Sequence, residues 1–182
     1  MTKRLLSIAV LISVLFLLQG CSRNSEGDAM KFTFEPLQGE MALGSSYFMD
    51  FGKMNSQEDA AIAEGKLISA FGQPAYTSES YEGSFNYVIR ATADTGDSVI
   101  LTVYGMGVVH IGAVRQDEFA QTAASALIQY VNSFKPADFS RTVYYWDMNL
   151  QIDISVKDGK AEIRQSRIST EKIKELFRNF LE

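Results

Sequence analysis

Two stretches of this 182-residue chain alternate apolar and polar residues about a glycine-containing turn, and they narrow the available folds more than any other feature. In the first, Phe85, Tyr87, Ile89 and Ala91 alternate with Asn86, Val88, Arg90 and Thr92. Asp94-Thr95-Gly96-Asp97 follows, and Val99 to Tyr104 returns as a mostly apolar run. In the second, Leu150, Ile152, Ile154 and Val156 alternate with Gln151, Asp153 and Ser155. Ala161 to Arg167 comes back after Lys157-Asp158-Gly159-Lys160. A period of two sends successive side chains to opposite faces of a strand, while Asp and Gly tolerate the dihedrals of a reversal. Both stretches read as antiparallel hairpins. Met30, Phe32 and Phe34 alternate in the same way ahead of Pro36, and Ser46 to Phe51 and Val108 to Val114 suggest further strands.

Three helices separate these strands. Ser56 with Asp59 three residues on has the form of a capping box; Ala60, Ala63, Leu67 and Phe71 share a face, and Gly72 and Pro74 end it. Phe119, Ala120, Ala123, Leu127, Val131 and Phe134 recur at helical spacing within 116–134. Ser169 and Thr170 precede a last helix with Ile173, Leu176, Phe177 and Phe180 on one side. Consecutive hairpins with interspersed helices predict an α+β fold: a single domain over 30–182, with an antiparallel sheet of about five to seven strands and about three packed helices.

The start of the chain has a different character. Lys3 and Arg4 precede an apolar run from Leu5 to Leu18, closed by Leu18-Gln19-Gly20-Cys21 and followed by the polar Ser22, Arg23, Asn24 and Ser25. A positive head, an apolar core too short for a spanning helix and a small residue at a cut point make a secretory signal. Leu18-Gln19-Gly20-Cys21 resembles the lipobox of bacterial lipoproteins. That resemblance implies cleavage between Gly20 and Cys21, a diacylglyceryl group with its fatty acyl chains (palmitate in kind) on the Cys21 thiol, and removal of residues 1–20. It further implies a membrane-anchored protein of the cell envelope facing away from the cytoplasm. Ser22, in place of the Asp that commonly retains such proteins at the inner membrane, favours the outer membrane in a host with two. Residues 21–29 then read as the lipidated cysteine and a flexible tether.

Charge and cysteine count agree with that placement. Removing Lys3 and Arg4 from 17 basic and 22 acidic residues moves the formal charge from −5 to −7. An acidic domain repels phosphate backbones, which argues against nucleic acid, and it has no polybasic grip on lipid. Two acyl chains hold a protein to a bilayer where one does so only marginally. Cys21 is the only cysteine, so no disulfide forms within the chain, and stability must come from packing.

Candidate chemistry is sparse. His110 is the only histidine and the weak candidate for a catalytic base; paired acids such as Asp117 and Glu118 are a further option for a hydrolase. With one histidine and the thiol committed to lipid, no metal site of the common kind is expected, nor any cofactor. Asp94-Thr95-Gly96 resembles the aspartic-protease triplet, but that chemistry needs two carboxylates sharing a proton and no second triplet exists, so a hairpin turn is the reading. Gly105, Gly107 and Gly112 lack the Lys and the helix of a phosphate loop and suit a bend in a sheet. Tyr144, Tyr145 and Trp146 cannot all be core in one strand; packing in the core or on a sheet face is one reading of them, and an exposed binding surface is the other. The expectation is a non-catalytic binding or interaction module with a protein partner at the envelope. An envelope hydrolase using His110 and a small-ligand receptor are the alternatives, and toxin immunity is an analogy of fold alone.

Overall fold

The computed structural model describes residues 30–38, 47–51, 56–74, 76–77, 85–105, 108–145 and 147–181. Lys31–Glu182 forms one compact unit. In chain order its elements are β1 (Phe32–Leu37), β2 (Tyr47–Asp50), α1 (Gln57–Phe71), β3 (Tyr76–Thr77), β4 (Phe85–Ala93) and β5 (Ser98–Gly105). Then come β6 (Val109–Ala113), α2 (Glu118–Asn132), β7 (Phe139–Tyr145), β8 (Leu150–Lys157), β9 (Lys160–Arg167) and α3 (Thr170–Leu181). The architecture is α+β with antiparallel pairing throughout.

The strands divide into two sheets. The first runs β1-β4-β5-β6-β2, with β3 also paired to β4. The hairpin predicted around Asp94 is its centre: Thr92 faces Ser98, the Ala93 N–H donates to the Asp97 carbonyl at 2.8 Å, and Gly96 takes a φ of 91°. Alternation places Phe85, Tyr87, Ile89, Leu101, Val103, Val109 and Ile111 on one face. Ala60, Ala63 and Leu67 of α1 and Ala123, Leu127 and Val131 of α2 complete the same apolar cluster. Burial of each Leu or Val there stabilises by about 1.5–3 kcal/mol. The many alanines let both helices lie close to the sheet. β1 runs through Pro36 to Leu37, one residue beyond the proline expected to end it. It is an edge strand, where a residue without an N–H costs no ladder bond on the open side.

Local sequence accounts for the helix ends. The Asp59 N–H donates to Ser56 Oγ at 3.2 Å, the Ala120 N–H to Asp117 Oδ1 at 2.8 Å, and the Lys172 N–H to Ser169 Oγ at 3.2 Å. Gly72 ends α1 with a φ of 80° and sends its N–H to the Ile68 carbonyl. None of the described helices is long and apolar enough to cross a membrane.

The second sheet, β7-β8-β9, packs on α1. Asp158 and Gly159, with φ of 51° and 74°, make its tight β8–β9 turn. One face carries Arg141, Val143, Tyr145, Ile152 and Ile154; the other carries Thr142, Tyr144, Gln151, Asp153 and Arg164, with Thr142 Oγ1 donating to Asp153 Oδ1 at 2.7 Å. Helix α1 therefore serves two layers, with Leu67 toward the first sheet and Glu64 and Gly65 toward the second. The Ala137 N–H donates to the Gly65 carbonyl at 2.9 Å, and a Cβ at residue 65 would lie 2.9 Å from Pro136 Cβ and 3.0 Å from the Ala137 oxygen. Gly65→Ala is expected to destabilise the fold by about 1–3 kcal/mol through this overpacking. Chemical denaturation measures it, and an unchanged midpoint would show that the helix and the Pro136 segment separate freely.

Candidate functional site: a cleft under the second sheet

Glu64 occupies the turn of α1 that faces β7. Its side chain is only 3% exposed, among the described residues one of two buried polar or charged side chains. Arg141 Nη2 of β7 lies 3.0 Å from Glu64 Oε2, yet no described group gives that oxygen a well-directed hydrogen bond. Burial pushes the Glu64 carboxyl up to about 7, and the Arg141 charge offsets only part of the rise. The Arg141 guanidinium also sits 5.5 Å above the centre of the Phe85 ring, a cation–π contact that holds it over the first sheet. The Tyr87 phenol donates to the Gly72 carbonyl at 3.1 Å, and burial, then the nearby Glu64 charge, raises its pKa.

Beside this pair is a small cleft of about 30 Å³. Ala60 and Ala61 of α1, Phe85 and Gly105 of the first sheet, and Tyr145 and Ile152 of the second line it, with Glu64 and Arg141 as its polar floor. Gly105 is required there, since a Cβ would fall 2.3 Å from the Phe85 ring. Space of this size holds a water or two, or the tip of one side chain. Chemically, the site can hold or release a proton near neutrality and bind a small polar tip between apolar walls.

Of the residues singled out from the sequence, only Gly105 and Tyr145 are among the described residues that line the cleft. Tyr145 ends β7 and lines the cleft, whereas its neighbour Tyr144 projects from the opposite face, as strand alternation requires. Trp146, Gly20 and Cys21 lie outside the described residues, as does Gly107. His110 is half-buried in β6, opposite Tyr104 of β5 and Asp50 of β2, with its ring 5.6 Å from that of Tyr104. Asp117 caps α2 and pairs with Arg115. The Ala120 N–H first, and Arg115 with it, hold its carboxyl below the usual range, which suits a cap and not a proton donor. Among the described residues no group of three or more His, Cys, Asp or Glu is placed to hold a metal ion.

Sequence reasoning passed over Glu64. The available signal was a lone acid directly after Ala63 and four residues after Ala60, inside the apolar stripe of a helix, where solvent-facing charge is not expected. Comparison with known proteins finds no matching family model, no similar curated sequence and no similar solved structure.

Proposed function

We propose that this chain is a lipid-anchored protein of the bacterial cell envelope whose folded domain is a non-catalytic binding module for a protein partner. Leu18-Gln19-Gly20-Cys21 supports the anchor, and Ser22 the outer membrane where there are two. The observation that carries the binding role is the cleft: apolar walls, a buried acid with one oxygen lacking a directed donor, and Tyr145 in its lining. Pockets that seat a single side chain beside an aromatic are where protein interfaces concentrate their energy.

The test is an affinity capture from detergent-solubilised host membranes using the full lipidated chain, with Cys21→Ser as the unanchored control. One protein recovered in near-equal amount and lost with Tyr145→Ala is the expected result. Recovery of the bait alone would sink a stable partner. Mass spectrometry of the purified chain tests the anchor: it is expected to begin at Cys21 and carry a diacylglyceryl adduct. A second reading, a hydrolase using His110, draws on the register that sets Asp50 opposite it; it requires an envelope substrate whose turnover His110→Gln abolishes.

A further inference from the structure

The contact between α1 and the second sheet is pinned at one end and open at the other. At the pinned end Gly65 lies against Pro136 and accepts the Ala137 N–H. At the open end the cleft runs along Gln57, Ala60 and Ala61. Glu64 lies between the two, buried, with a partner in Arg141 but no well-directed donor to Oε2. Among the described residues, the titratable groups facing it are Arg141 and Tyr145 of β7 and Tyr87 of β4. From β8 the cleft receives only Ile152 and Ile154. The polar contact from β9 is Gln165 to Gln57 at 3.5 Å, and from α2 it is Asn132 to Lys66 at 2.9 Å.

We propose that Glu64 works as a proton-operated clamp: protonated, it lets the second sheet lie shut on α1; ionised, it draws water into the cleft and loosens β7 and β8 from the helix. A neutral carboxyl among alanines and isoleucines costs little, whereas a carboxylate there needs water or a fully engaged cation. Arg141 is held partly by the Phe85 ring and supplies only part of that need. The sign follows from linkage. The shut form holds the proton with a pKa of about 7 against 4.5 for an exposed glutamate, so it is favoured at low pH and gives way as pH rises through 7. Between pH 5 and 8 the equilibrium should move toward the open form by roughly 50- to 100-fold.

Hydrogen exchange, expressed as protection factors at pH 5 and pH 8, tests the clamp, with amides of β5 as the internal reference. Protection in β7 and β8 is expected to lie below that of β5 at both pH values, as local opening requires, and to fall by roughly that factor at pH 8. Glu64→Gln, which cannot ionise, should show no such difference. Equal protection at the two pH values, or β7 and β8 as well protected as β5 at both, would overturn the clamp. If Glu64→Gln fails to fold, the comparison of sheets within the native chain still decides, together with direct carboxyl titration of Glu64 by carbon NMR; a midpoint below 5 would end the idea.

Discussion

Leu101→Ala is expected to cost about 3 to 4 kcal/mol of folding stability, a large share of the roughly 5–15 kcal/mol that holds a domain of this kind together. Leu101 has no exposed surface and stands in the middle of β5, between Ile89 and Ala113 on the neighbouring strands. Both helices press on that face, so little can collapse into the space left behind, and the cavity adds to the lost transfer energy. For a domain of this length the melting temperature should drop by roughly 10 °C. Ile154→Ala offers the contrast: it is half-buried and lines the cleft, and its loss should be nearer about 1 kcal/mol. Equal costs at the two positions would mean that the core does not lie where Leu101 is.

The second large effect is the pH dependence of global stability. Glu64 alone should make the native chain less stable at pH 8 than at pH 5 by about 2 to 3 kcal/mol, since its folded pKa of about 7 exceeds the 4.5 of an exposed glutamate. Its contribution is fully present below 4.5 and is lost as pH rises through 7. Arg141→Met keeps much of the side chain's bulk and removes the charge that moderates Glu64, so the loss over the same range should grow to about 4 kcal/mol. Glu64→Gln should erase the Glu64 contribution. Urea denaturation of the three proteins at both pH values decides the matter. A slope that survives Glu64→Gln unchanged would assign it to other carboxylates.

Short-range pattern made much of this fold legible. The hairpins at Asp94 and Asp158 were readable because turn residues and period-two alternation agree, and the helices because Ser56 and Ser169 announce their own starts. What alternation cannot tell is which sheet a strand joins. Leu150 to Arg167 shows the same pattern whether it extends the first sheet or forms another, and here it packs on the far side of α1. The cleft was illegible for a related reason. Glu64, Phe85, Arg141 and Tyr145 meet only through a helix shared by two layers, so no local window of sequence contains the site.

The proline in β1 bears on how copies of this protein behave side by side. A strand at the border of a sheet offers its outward N–H and C=O groups to any other extended chain, the first step toward cross-β stacking. Pro36 sits inside β1, paired with Ile89 on the inner side, and it has no N–H to give. An intruding strand laid along this border would find its row of hydrogen bonds interrupted. Crowding on a surface would therefore not propagate aggregation from this border.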